Sequence, residues 1–148
     1  MRAAKPRSSY VHFTKLTTRW MDNDAYGHIN NVVYYSFFDT AVNAYLISAG
    51  CLDIQNSSVI GLVVETGCQF FKPIAFPYIL EAGLTVVQLG TSSVRYAIGI
   101  FVKGDEGAAA EGHFVHVYVD RARGKPVPIP GDVRKVLSAL MLPGGHGL

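Results

Sequence analysis

Two carboxylates, one imidazole and a pair of amides fall within a single short stretch, Asp22-Asn23-Asp24-Ala25-Tyr26-Gly27-His28-Ile29-Asn30-Asn31. A carboxylate placed just ahead of a helix can attack a carbonyl carbon, draw a proton from water, or cap the helix. The helix start itself presents free backbone N–H groups, which suit an oxygen that gains negative charge. Together these features admit acyl transfer to water, with Asp24 as base or nucleophile, while turn-making and capping explain a pair of acids before a helix equally simply. His28 lies four residues beyond Asp24 and has an imidazole that titrates near neutrality. It can bond to the carboxylate or to an attacking water, or it can close the loop through its backbone.

Other chemistries are poorly served. The spacing from Asp22 to Gly27 resembles the opening of a calcium loop, but its twelfth position is Val33 where a bidentate Glu is required. His113 and His116 are three apart in an expected strand, so they face opposite sides and cannot share a metal. No serine sits in a G-x-S-x-G elbow. Cys51 and Cys68 have no partner at metal-ligand spacing, and they read as reduced thiols.

These residues need elements to hold them. Apolar and β-favouring residues from Val11 to Trp20 predict a first strand at about 11–20. The run VVYYSFFDTAVNAYLISAG carries no proline and reaches Gly50, which predicts a helix over about 30–49. It is apolar on nearly every side, so other structure should wrap it. Strands are then expected at 59–72, 78–89, 93–103 and 109–119. In the third of these, Val94, Tyr96, Ile98, Ile100 and Val102 alternate with residues such as Arg95. A short helix from an Asp132 N-cap to about Met141 closes the chain. The expected fold class is α+β: a single domain over 10–142, with a five-stranded antiparallel sheet wrapped around one long central helix. Residues 1–9 read as a flexible arm and 143–148 as a loose tail.

The stretch from Arg19 to Tyr34 resembles the signature of the 4-hydroxybenzoyl-CoA thioesterase family of hot-dog proteins: an acid, a glycine, often a histidine, paired asparagines and an aromatic. The resemblance extends through Phe71-Lys72-Pro73, through Leu89-Gly90-Thr91-Ser92-Ser93, and through Val119-Asp120 on to Pro126 and Pro130. It implies a hot-dog domain that hydrolyses the thioester of an acyl-CoA or an acyl carrier protein, without metal or cofactor. Within it Asp24 becomes the catalytic carboxylate, the N–H of Asn31 polarises the carbonyl, and His28 is the third candidate catalytic residue. Asp22 reads as the residue that makes the turn. The family's dimers and paired dimers imply a homodimer, as a dimer of dimers, with the pocket shared between subunits. The plant acyl-carrier-protein thioesterases have a similar pattern with an Asn between the Asp and the His, where this chain has Tyr26.

Substrate contacts are expected from Tyr26, Asn30 and Tyr34 around the helix start, although capping and internal bonding would also explain the latter two. Glu65 is a candidate to line the pocket from an adjacent subunit, or is a solvated edge carboxylate. Lys72, Ser92, Ser93 and Arg95 are candidate contacts for the phosphates or amides of coenzyme A. A binding module that holds an acyl thioester without cleaving it, or a hot-dog hydratase or dehydratase, are the competing readings.

With 148 residues and a net charge of +2, the chain has no concentrated basic stripe, which argues against a nucleic-acid partner. No segment approaches the roughly 18 apolar residues of a membrane span, and the N-terminus has no apolar core of a signal peptide, so a cytoplasmic location is expected. Hydrophobic residues make up 49% and charged residues 16%, a balance that leaves apolar surface for contacts between subunits.

Overall fold

The alternation of apolar residues along the chain is realised as five strands and two helices in the computed structural model, which describes residues 2–143. In chain order these are β1 (His12–Thr17), α1 (Asn31–Ser48), β2 (Val59–Phe70), β3 (Ile79–Leu89), β4 (Ser93–Val102), β5 (Ala110–Asp120) and α2 (Gly131–Ser138). The strands form one sheet in the order β1-β3-β4-β5-β2, antiparallel throughout. This is the expected architecture: a single antiparallel sheet around one long helix.

Helix α1 begins where Asn30 accepts a hydrogen bond from the N–H of Val32 at 3.1 Å, a side-chain cap. The chain leaves its far end through Gly50, whose φ of +73° suits a residue without Cβ. Tyr34, Phe37, Phe38, Ala41, Val42 and Leu46 face the sheet and are buried. They meet the inward side of β4, where Val94, Tyr96, Ile98 and Ile100 are buried, so the alternation seen in the sequence becomes the core. Gly112 of β5 lies under Phe38; a Cβ there would stand 2.3 Å from the ring, so only glycine lets the helix approach this closely. The sheet covers only one side of α1. Val32, Tyr35 and Ile47 remain exposed, and the wrapping expected from an all-round apolar helix is half complete within one protomer.

Differences from the sequence reading have local causes. The first strand stops at Thr17 rather than at residue 20, and Trp20–Asp22 form a 3-10 turn. Buried Asp22 accepts bonds from the N–H and the guanidinium of Arg19, which folds the chain back on itself. Pro130 occupies the N-cap position of α2, so Asp132 lies within the first turn instead of capping it. Residues of the N-terminal arm lie against the sheet face turned away from α1. There Arg7 pairs with Glu81 at 2.9 Å and stacks over the Phe101 ring at 4.8 Å, and the backbone N–H of Lys5 bonds to Glu111. The tail beyond Pro143 lies outside the described residues. Among the described residues, no helix is long and apolar enough to cross a membrane.

Candidate active site

Asp24 sits on a loop that is closed on itself. Its backbone N–H donates to the carbonyl of His28 at 2.7 Å, and its Oδ1 accepts from the N–H groups of Tyr26 at 2.8 Å and His28 at 3.3 Å. Gly27, with φ of +79°, supplies the turn. Oδ2 of Asp24 accepts no bond from any described residue, so one oxygen orients the carboxylate and the other is free to react. The neighbouring residues fasten this loop to the body. Asn23 accepts from the N–H of Phe76 at 3.0 Å, Ile29 donates to the carbonyl of Ile74 at 2.8 Å, and Asn30 donates to the carbonyl of Asp22 at 2.8 Å. The position of Asp24 is thus fixed largely through backbone bonds.

At the start of α1 the donors can be accounted for one by one. The N–H of Val32 goes to the Asn30 side chain, and that of Val33 to the Asn30 carbonyl at 2.9 Å. The N–H of Asn31 has no partner among the described residues, and it carries the positive end of the helix dipole.

Asp24, His28 and Asn31 line one cavity of about 390 Å³ together with Ile29, Tyr34, Phe70, Phe71, Lys72 and Pro73. Tyr34 is only 2% exposed and meets Phe70 edge to face with ring centroids 4.9 Å apart. Burial, with a smaller contribution from the nearby Cys68, holds its phenol well above the usual range, so it stays protonated. The Cys68 thiol is itself pushed up to about 12 by burial, which leaves it a poor nucleophile. Lys72 is paired with Asp105 at the exposed edge of the cavity. The imidazole of His28 is exposed and makes no hydrogen bond to described residues; its bonds to Asp24 run through the backbone.

The remaining candidates lie elsewhere. Tyr26, 86% exposed, is on the loop but not among the residues that line the cavity, and Asn30 is engaged as the helix cap. Glu65 accepts from Arg95 at 3.0 Å and lies 3.0 Å from Nε2 of His113, on the opposite face of the sheet from α1. Ser92 lies in the turn between β3 and β4, and Ser93 opens β4. A larger groove of about 610 Å³ opens on that opposite face, lined in part by Arg2, Arg95, Glu111 and His113. Its arginines already hold carboxylates, Arg2 that of Glu111 and Arg95 that of Glu65. Sequence reasoning did not single out Asn23, whose side chain ties the loop to Phe76; the only signal was an Asn between two acids in a turn. Among the described residues no group of three or more His, Cys, Asp or Glu side chains is placed to hold a metal ion.

A model of the thioesterase-like superfamily matches residues 18–137. The chain is similar in structure to the PA5185 protein of Pseudomonas aeruginosa strain PAO1, with a TM-score of 0.91 and 54% identity over 93% of this chain and 96% of that one. It is also similar to the PA2801 protein of Pseudomonas aeruginosa, a proposed thioesterase, with a TM-score of 0.80 and 28% identity over 86% and 98% of the two chains. The 1,4-dihydroxy-2-naphthoyl-CoA thioesterase of Synechocystis shares the fold, with a TM-score of 0.78 at 18% identity, over 85% of this chain and 94% of the other.

Proposed function

The chain belongs to the thioesterase-like superfamily, and from that premise we propose that it hydrolyses the thioester of an acyl-CoA to the free acid and coenzyme A. One observation carries this reading: a carboxylate with one oxygen held and one free shares a cavity with an unpaired N–H at the start of a helix. The free oxygen of Asp24 attacks the thioester carbonyl or takes a proton from the water that does. The N–H of Asn31 receives the charge that develops on the carbonyl oxygen, where a fixed donor lowers the barrier without reorganising. His28 acts through its backbone by orienting Asp24.

The apolar walls of the cavity, Ile29, Phe70 and Phe71, suit the acyl group or the pantetheine arm. Lys72 at the edge is the cation for a phosphate, which it would take in exchange for Asp105. The half-covered side of α1 and the free edge of β2, where Leu62, Val63 and Val64 are exposed, fit a second copy of the chain that extends the sheet.

Thiol release from acetyl-, butyryl-, octanoyl- and benzoyl-CoA tests the activity. Turnover of any member supports hydrolysis. If none is cleaved while acyl-CoA raises the melting temperature, the protein is a binding module.

A further inference from the structure

Among the described residues, an oxyanion formed at the start of α1 would meet one unpaired backbone donor. The Asn30 cap consumes the N–H groups of Val32 and Val33, and leaves that of Asn31. Oxyanion sites of acyl transfer ordinarily present more than one donor, because a single hydrogen bond neutralises the developing charge incompletely. Within one protomer, a second donor has to come from a side chain in the same cavity.

Four polar side chains besides Asp24 line that cavity, and three of them are accounted for. Lys72 is paired with Asp105, and the side chains of His28 and Asn31 are exposed to water. Tyr34 differs. Its ring is buried, its hydroxyl makes no hydrogen bond to any described residue, and the oxygen is not among the fully enclosed unpartnered groups, so it reaches the open space of the cavity that Tyr34 lines. Tyr34 lies three residues after Asn31, hence on the same face of the first turn. Long side chains in a helix lean back toward its N-terminus, which directs this ring over the turn that bears the Asn31 N–H. The edge-to-face contact with Phe70, another residue of the cavity wall, fixes the ring there.

We propose that the Tyr34 hydroxyl is the second donor of the oxyanion pocket, a catalytic residue that bonds to the thioester carbonyl oxygen beside the Asn31 N–H. The role rests on the thioesterase reading given above. As an oxygen adds to the carbonyl carbon, the C=O π pair moves onto the carbonyl oxygen, and Tyr34 donates a hydrogen bond without giving up its proton. When that pair returns, the C–S bond breaks and the thiolate of coenzyme A departs with its electrons, to be protonated by solvent. Burial keeps the phenol protonated, so the donor is present across the working pH range.

The substitution Tyr34→Phe removes one oxygen and keeps the ring. Thiol release from the same four acyl-CoAs, with thermal unfolding of each protein, tests the assignment. The expected result is a fall in kcat of about 10- to 100-fold with KM within about twofold, and a melting temperature unchanged or raised, since no bond is lost from the resting protein. A kcat within about twofold of the parent overturns the assignment. So does a fall in melting temperature of several degrees, which would mean that the hydroxyl already has a structural partner. If the parent protein cleaves no member of the panel, the thioesterase reading fails, and this assignment with it. If the parent and Tyr34→Phe cleave equally, only this assignment fails.

Discussion

The carbonyl of Asp22 accepts the N–H of Asn30 at 2.8 Å, so the residue before the loop and the cap of the helix are joined across the segment that carries Asp24. The same Asp22 uses its carboxylate to hold the N–H of Arg19 at 2.8 Å and its guanidinium at 3.0 Å, while itself only 2% exposed. One acid therefore builds the frame, and the other, two residues on, is left with an oxygen to spare.

Removing the frame should cost stability. Asp22→Ala deletes a buried charge-assisted cluster, and it is expected to lower the unfolding free energy by about 2–3 kcal/mol in urea titrations. Turnover should fall as well, because Asp24 loses its fixed position. A loss under about 0.5 kcal/mol would show that the loop stands without Asp22.

His116 predicts a pH dependence of stability that is separate from catalysis. It lies on the helix-facing side of β5, packed against Phe114 with ring centroids 4.9 Å apart and close to Tyr96 and Tyr118, and its Nδ1 has no partner among the described residues. Burial lowers its pKa from 6.5 to about 4, against a weaker upward pull from Asp39. The unfolded chain therefore binds a proton below about pH 6.5 that the folded chain refuses until about pH 4. Stability is unaffected above that window, falls as the pH drops through it, and levels off below. The loss attributable to this group is about 2–3 kcal/mol by pH 4.5. Urea unfolding at pH 7 and pH 4.5 should show that much smaller a loss for His116→Phe than for the parent. Equal losses would contradict the assignment.

Much of the fold was legible because its signals are local. Alternation in β4, the asparagine cap at residue 30 and Gly50 at the helix exit each act within a few residues, and each appears at its expected place. Contacts that join distant parts of the chain were not legible. The pairing of Lys5 with Glu111 and of Arg7 with Glu81 gives the arm its seat on the sheet, and no local pattern announces either. Bulges hid more. The register of β2 shifts between Val63 and Glu65, and that of β3 between Val86 and Gln88. Each shift changes which face the following side chains occupy. Strand parity alone therefore could not tell that Glu65 would meet Arg95 and His113 across the sheet from the cavity. At the site itself, the types and order of Asp24, His28 and Asn31 were readable. The division of labour within Asp24, one oxygen bound and one free, required the closed loop to be seen.

The central claim is that the free oxygen of Asp24 does the chemistry, and the most direct measurement is the kcat of Asp24→Asn on the acyl-CoA that the parent protein cleaves fastest. The amide keeps an oxygen to accept the N–H groups of Tyr26 and His28, so the loop and the melting temperature should persist, while kcat falls by at least about 100-fold. An Asp24→Asn protein that melts with the parent and retains more than about a tenth of its turnover would contradict the account.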